Sequence, residues 1–351
     1  FDTRAQEWGS SHLIPQPGTA AMTSSGYVVT EEYAFGIPAV SNVIRSPCDI
    51  IASLPFMTYE EDPREKAKDH WLWHLLHEQP DEEGTGTYTF FWDLELSLEG
   101  YSNAFIQKAK TRNRVEGVRV LNPKRVRVYR DKDTGEKKFD VYMGPGQHRT
   151  FTAETIFHVR GSTMEPGADV GTSLLQQHRD AIGASLALHS FEGDYFKNAA
   201  LSPFFFTGAK NQTEATEILT HHNANHQGPG KQFKAGAVWG SIDVKSIPMS
   251  LEDAQYADAM RLSVEDACRI WRWPKELLEL SGVTGSLPRD ENAWTAKVMK
   301  FYVMPRLKRI ERAFASDKDF YLNAGVIGEF LTAALGRADF ETRMRGYKDA
   351  R

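Results

Sequence analysis

The sequence contains only two cysteines, Cys48 and Cys268, in 351 residues. Two cysteines cannot form a disulfide framework for a chain of this length, which predicts a reducing compartment. No C-x-x-C pair occurs, so the usual signature of a structural zinc site is missing. Both cysteines lie in apolar helical patterns, and we expect each to be a buried thiol that behaves as a small hydrophobic side chain.

Long apolar runs and a strong excess of one charge are also missing. The longest uncharged run, 8–30, contains prolines, glycines, serines and threonines, and therefore predicts a loop and no membrane span. The 42 basic and 47 acidic residues give a net charge of −5, which argues against a generic cationic nucleic-acid binder. A hydrophobic fraction of 41% and the chain length predict a folded protein of two or three subdomains.

Signatures of catalysis are absent as well. The nearest approach to a Walker A loop, at 230–232, lacks the hydroxyl residue, and no G-x-S-x-G elbow occurs. His222 and His226 have the i, i+4 spacing of a zinc helix, but Asn223 stands where a zincin needs glutamate. We therefore expect a solvated helix end there, and predict no catalytic residue, no metal and no cofactor.

The first half of the chain reads as an extended arm, three helices and a run of strands. Residues 1–36 lack periodicity and predict an arm or simple terminal disorder. Apolar spacing predicts helices over 37–54, with a kink or break at Pro47, and over about 70–77 and 88–98. The three histidines of the second helix lie among tryptophans and leucines and are expected to pack against a core. Alternating segments at 104–106, 118–120, 126–129 and 139–142, separated by turn residues, then predict short antiparallel strands within 101–160, and 156–159 is predicted as the last of them.

The second half predicts two long helices around a small insert. The helices cover about 172–198 and 250–272, and the first has a narrow apolar stripe flanked by small residues. The insert contains a strand at Phe204, Phe205 and Phe206, a helix over 213–222, and apolar patches at 237–239 and 242–247 that suggest further strands. A third helix, about 289–316, contains Pro305 and should bend or split. The fold class is therefore α+β.

Charge is divided unevenly between these elements. Residues 289–318 carry eight basic and four acidic side chains, whereas 250–273 carry three basic and five acidic ones. A solvated helix face is the ordinary explanation for such charge runs, and it predicts that the eight basic side chains, Arg306 and Arg309 among them, are exposed to solvent. Contact with phosphates is the sharper alternative, for which Arg289, Lys297 and Lys300 are the candidates.

The order of several short strings resembles that of the portal (head-to-tail connector) proteins of tailed bacteriophages, in the siphophage-type portal family. No single string is specific, but their order and spacing together are. The strings that carry the resemblance lie at 39–55, 74–81, 100–104, 121–126, 156–159, 171–175, 195–203, 274–278, 304–311 and 335–343. The chain departs from the family pattern at 286–288 and at 271–273, and stops soon after the last string.

The resemblance implies a portal fold with an α/β wing, a two-helix stem hairpin, a small α/β clip insert and a kinked tunnel helix. The implied parts are an N-terminal arm (1–36), wing (37–171), first stem helix (172–198), clip (199–249), second stem helix (250–273), wing with tunnel loop and kinked helix (274–318) and a C-terminal segment (319–351). The tunnel loop, 280–288, has channel-facing candidates in Gly282, Val283, Thr284, Gly285, Ser286 and Leu287. A disordered surface loop is the alternative there, and a buried strand within one subunit is the alternative to a clip interface at Phe204–Phe206.

The implied function is a homo-oligomeric ring, usually of twelve subunits, at one vertex of the virion capsid, assembled in the host cytoplasm. Double-stranded DNA passes through its channel during packaging and ejection. The implied partners are the terminase large subunit, the major capsid protein and a head-completion adaptor, with no membrane. Two alternatives stay open: a metal-dependent DNA-processing enzyme that uses His222 and His226, and another ring-shaped neck adaptor.

Overall fold

The computed structural model describes two compact units. The described residues are 23–60, 65–111, 114–162, 165–197, 204–207, 209, 211–226, 243–246, 253–278, 291–322 and 326–332. The larger unit takes those of 29–179 and those from 267 onward, and the smaller unit takes 23–28 and 180–266. Each unit is described by itself below.

Four helices begin the larger unit. They are α1 (Glu31–Gly36), α2 (Pro38–Ala52), α3 (Trp71–Trp73), which continues as a π-helical turn (His74–Glu78), and α4 (Thr87–Tyr101). The predicted break at Pro47 is wrong, because α2 runs through it. An interior proline costs about 3 kcal/mol, but Pro47 is buried with the apolar side chains of α2, so tertiary packing outweighs the lost hydrogen bond.

The three histidines near α3 have three different environments. His70 caps α3, with Nδ1 accepting from the backbone N–H of Leu72. The His77 ring lies 4.2 Å from that of Trp73, as the packing prediction expects. His74 is exposed and pairs with Glu78, so that prediction is wrong for His74.

Two antiparallel three-stranded sheets follow, which confirms the strand prediction. The strands are β2 (Asn103–Thr111), β3 (Arg114–Leu121), β4 (Val126–Arg130), β5 (Lys137–Gly144), β6 (Gln147–Thr152) and β7 (Ile156–Arg160). One sheet has the order β3-β2-β7 and the other β4-β5-β6. Hydrophobic side chains between them form a shared core around Phe105 and Phe139. Strand β6 has no counterpart in the prediction, because Phe151 alone among its side chains is buried.

The last part of the chain closes the larger unit. β10 (Val326–Phe330) pairs antiparallel with β1 (Phe56–Glu60), near the start of the chain. Phe56 lies between the rings of Phe91, Phe314 and Phe330, with centroids 5.0–5.7 Å away. This aromatic cluster joins both chain regions to the helices, at separations that offset and edge-on ring pairs favour.

The smaller unit is built mainly from two helices and the elements between them. The predicted helix 172–198 is interrupted: α5 (Leu174–Gln177) ends at His178, whose φ of −112° and ψ of 24° are not helical, and α6 (Arg179–Lys197) begins afterwards. Then follow β8 (Phe204–Thr207), α7 (Gln212–His226), β9 (Asp243–Ser246) and α8 (Asp253–Trp271). β8 and β9 pair antiparallel.

Helices α6 and α8 contact each other inside the smaller unit. The hydroxyls of Ser185 and Ser263 lie 2.6 Å apart, and the Tyr256 hydroxyl reaches the Leu188 carbonyl at 3.5 Å. Later residues of α6 therefore meet earlier residues of α8, so the two helices run antiparallel. Two serines at the contact permit a close approach of the helices.

Candidate functional site: the bent helix and its anchors

The segment after the predicted tunnel loop is a helix in three parts. α9 (Glu291–Val298) passes into a π-helical turn (Met299–Val303), and α10 (Met304–Ser316) follows. The Met304 N–H donates to the Met299 carbonyl, one residue further back than in an α-helix. Pro305, which has no N–H to donate, comes immediately afterwards. The sequence predicts a bend or a split at Pro305, but the helix is not split there, because its three parts are contiguous. A π-turn directly before the proline is a known way for a helix to absorb such a residue.

The outer side of this segment carries exposed cations and one exposed aromatic ring. Lys297 and Lys300 are exposed, as expected of candidates for contact with phosphates. Phe301 is 61% exposed, and the Lys300 ammonium lies 5.6 Å from the centre of its ring. This pair places a positive charge over an apolar surface in the π-turn.

Arg306, in the first turn of α10, joins three elements. Its Nε donates to Glu99 Oε1 at 3.0 Å, and its Nη2 donates to Glu99 Oε2 at 3.2 Å and to the Trp271 carbonyl at 2.7 Å. Its Nη1 donates to the Tyr302 carbonyl at 2.7 Å, inside the π-turn. The guanidinium also lies 5.5 Å from the centre of the Trp273 ring. This bidentate arrangement is specific to the planar fork of arginine.

Arg309 completes a buried cluster of two carboxylates and two guanidinium groups. Its Nη2 donates to Glu95 Oε1 at 3.2 Å and to Glu99 Oε1 at 3.0 Å. Burial raises the pKa of Glu95 to about 7, and the neighbouring charge of Glu99 adds to the rise. Burial would raise the pKa of Glu99 too, but Arg306 and Arg309 outweigh it and hold that pKa below its usual value. Glu99 is therefore the ionised partner of the cluster.

The end of α8 is fixed against the same cluster. The buried Trp271 indole donates from Nε1 to the Glu99 carbonyl at 3.0 Å. After it, Trp273 N–H bonds to the Cys268 carbonyl at 2.9 Å and Arg272 N–H to the Arg269 carbonyl at 3.4 Å. These two bonds form a Schellman C-cap, in which Arg272 takes the left-handed position with a φ of 51°.

A second set of ion pairs holds the other end of α10. The Lys108 ammonium, on β2, is fully buried and bonds to Asp317 at 3.0 Å and to Asp319 at 2.5 Å. Lys110 reaches Asp319 at 2.7 Å. Between the two ends, α10 buries the apolar side chains of Leu307, Ile310 and Phe314. α10 is thus anchored at both ends and along its inner face.

The predicted site residues fall into three groups. Gly282, Val283, Thr284, Gly285, Ser286, Leu287 and Arg289 lie outside the described residues. Phe204, Phe205 and Phe206 form a strand whose backbone pairs with Ser246, Lys245 and Val244. Lys297 and Lys300 lie on the bent helix, as described above.

The solvated-face interpretation is wrong for Arg306 and Arg309, because both contribute to buried pairs. The sequence carries one signal for their partners: Glu95 and Glu99 lie four apart among the apolar residues of α4, on its buried side. A carboxylate on an apolar helix face needs a cation. The sequence alone does not say that the cations lie more than 200 residues further along the chain.

Other predictions about side chains have mixed outcomes. Cys48 and Cys268 are both buried, as predicted, and burial raises the pKa of the Cys48 thiol. The helix α7 extends to His226, beyond its predicted end, and begins after Asn211, whose side chain accepts from the Glu214 N–H. The side chains of His222 and His226 lie outside those that the structure describes, so the prediction made for them stays untested; the described side chains contain no group of three or more His, Cys, Asp or Glu that could hold a metal ion. None of the described helices combines the length and the hydropathy of a membrane span.

Comparison with known proteins decides the family. The model of the phage portal protein family matches residues 38–351. The chain belongs to the phage portal protein family. A relative named "Probable portal protein", from Streptomyces phage phiC31, is 26% identical over 314 residues, a match that covers 84% of this portal-family chain and 66% of the relative.

Solved structures share the fold at low sequence identity. An HK97-family phage portal protein from Corynebacterium diphtheriae has a TM-score of 0.66 at 13% identity, covering 89% of this portal-family chain and 99% of that one. A chain in the neck of the native gene transfer agent particle, computed with C12 symmetry, has a TM-score of 0.60 at 18% identity, covering 88% of each. The resemblance found in the sequence is confirmed, and the mixed helix-and-sheet architecture is that of HK97-family portals.

Proposed function

We propose that this chain is the subunit of a portal ring, with a channel wide enough for duplex DNA, at a single vertex of a phage capsid. The observation that carries the proposal is the family match, which runs from 38 to 351 and so includes both units. The likeness to a chain of a neck computed with C12 symmetry supports twelve copies. The ring belongs to the virion and forms the channel for DNA during packaging and ejection.

The parts of the proposed subunit follow the element order. The wing comprises 37–171 and 274–318, the stem 172–198 and 250–273, and the clip 199–249. The antiparallel contact of α6 and α8 supports the stem hairpin. The pairing of β8 with β9, which lie between those helices in sequence, supports a small folded clip. The interruption at His178 shortens the first stem helix to Arg179–Lys197.

The channel surface is proposed to combine the loop 280–288 with the helix that follows it. The exposed ammonium groups of Lys297 and Lys300 are available to DNA phosphates, whereas Arg306 and Arg309 are held in buried contacts with Glu99 and Glu95. Few free cations on this helix suit a conduit, because each phosphate contact strengthens binding and opposes sliding. A net charge of −5 is consistent with DNA that passes through and is not held.

The partners are proposed from the portal role. The clip binds the terminase large subunit during packaging and a head-completion adaptor afterwards, and the wing contacts the major capsid protein. The chain itself is a structural component, and the ATPase that drives packaging is a separate protein.

Particle images of the purified chain test this function. We expect rings with a central hole wide enough for duplex DNA, and native mass measurement should give one subunit number close to twelve. A purified chain that stays monomeric at high concentration would contradict the proposal.

Two variants at Phe205 test the clip. Loss of rings in Phe205→Asp, with normal rings in Phe205→Leu, supports strand contacts between subunits. Unchanged rings in Phe205→Asp argue for a strand buried within one subunit.

A further inference from the structure

The bond between Arg306 and the Trp271 carbonyl closes a large loop of the chain. The two residues are 35 apart in sequence, and the donor and acceptor are 2.7 Å apart. The segment between them contains 280–288, the proposed tunnel loop. We propose that Arg306 is a positioning residue, a clamp that fixes where this segment leaves α8 and where it returns in α10. The clamp itself depends only on the described contacts; its effect on DNA rests on the proposed function.

The clamp is a closed triangle of contacts. Arg306 bonds to the Glu99 carboxylate and to the Trp271 carbonyl, and the Trp271 indole bonds to the Glu99 carbonyl at 3.0 Å. Each of α4, the end of α8 and the start of α10 is therefore bonded to the other two. A shift of any one element breaks at least two of these bonds.

The same side chain also reaches the π-turn. Arg306 Nη1 donates to the Tyr302 carbonyl at 2.7 Å, so the turn that precedes Pro305 is held by the same guanidinium. The side chain is only 11% exposed, which limits competition from water for these bonds. Lysine offers a single ammonium without the planar fork, and it cannot serve the Glu99 carboxylate, the Trp271 carbonyl and the Tyr302 carbonyl in one geometry.

Fixed ends restrict what lies between them. Closing a loop of this length removes conformational freedom at its base, and each end that is released restores some of it. The clamp therefore restricts the directions of the chain at 272–278 and at 291–305, the two described stretches that it joins. A clamp differs from a residue that stabilises the whole unit. Its loss should increase local opening in those two stretches more than in strands β2–β7.

Hydrogen exchange of the purified full chain tests the clamp. In Arg306→Lys, amides of 275–278 and 291–303 should exchange roughly tenfold faster than in the parent chain, a factor that corresponds to about 1.4 kcal/mol, while amides of β2 and β5 keep their rates. Arg306→Gln should give a larger effect in the same segment. Arg312→Lys, a change of the same kind at an exposed position of α10, is the matched control and should leave all rates unchanged.

Two outcomes would overturn the clamp: unchanged exchange in Arg306→Lys, or an equal acceleration throughout the larger unit. Should the Arg306 variants fail to fold, Trp271→Phe removes only the indole donor to Glu99, and it should accelerate exchange in the same segment by a smaller factor. The readout is independent of DNA. Faster exchange combined with normal rings and normal packaging supports the clamp and counts against the tunnel-loop proposal.

Discussion

Glu95 and Arg309 face each other across α4 and α10, with 3.2 Å between Glu95 Oε1 and Arg309 Nη2, yet the other carboxyl oxygen of Glu95 is buried without a hydrogen-bond partner among the described residues. Glu99 lies beside it and accepts hydrogen bonds from both Arg306 and Arg309. A carboxyl group that is fully buried and only half satisfied favours its neutral form, which is the cause of its raised pKa.

This arrangement predicts a pH dependence of stability. The pKa of Glu95 is about 7 in the folded chain and near 4.5 in the unfolded one, so between these values the folded state binds a proton that the unfolded state releases. The contribution of Glu95 to stability is therefore fully present below about pH 4.5 and is lost as the pH rises through 7. Glu95→Gln, which stays neutral, should flatten the profile.

Urea unfolding at pH 5, 6, 7 and 8 measures this effect. The free energy of unfolding of the parent chain should fall more steeply across this range than that of Glu95→Gln. Glu83→Gln is the control, since its pair with Arg119 is exposed on both sides. Parallel profiles for the parent chain and Glu95→Gln would show that Glu95 does not titrate in this window.

The sequence predicts the elements of this protein better than their connections. Alternation of apolar residues predicts most strands correctly, because the period of two depends only on neighbours in the chain. It misses β6, in which Phe151 supplies the one buried side chain, and it does not detect the one-residue break at His178. Counting charges treats each side chain as solvated, and so it cannot place Arg306 in a buried cluster with Glu99.

The buried ammonium of Lys108 predicts a large loss of stability on its removal. In Lys108→Met the carboxylates of Asp317 and Asp319 lose their buried cation, and breaking a buried pair costs about 3–5 kcal/mol. Lys318→Met removes an exposed pair with Glu154 and should cost less than about 1 kcal/mol. Chemical denaturation measures the free energy of unfolding of both variants. Equal unfolding midpoints for Lys108→Met and Lys318→Met would refute a stabilising role for the Lys108 cluster.

The left-handed residue that ends α8 predicts a stabilising substitution. Arg272 has a φ of 51°, where a side chain costs about 1–2 kcal/mol and glycine costs nothing comparable. Arg272→Gly should therefore raise the free energy of unfolding by about 1 kcal/mol. Arg272→Ala is the matched control, since it removes the same charge but keeps the Cβ atom. A gain in the alanine variant equal to that of glycine would assign the effect to charge and not to the backbone.

The proposed tunnel loop predicts a separation between assembly and DNA handling. Deleting 281–287 shortens the segment between Trp271 and Arg306 but leaves both of these residues in place. The contact of α6 with α8 and the pairing of β8 with β9 are also unchanged. Rings should therefore form normally, whereas genome packaging or retention should fail. A second variant replaces 281–287 by glycine and serine at the same length, and so separates the need for Val283 and Leu287 from the need for length. Particles that package and retain DNA normally with the deleted loop would remove these residues from the channel, even though the ring itself remained.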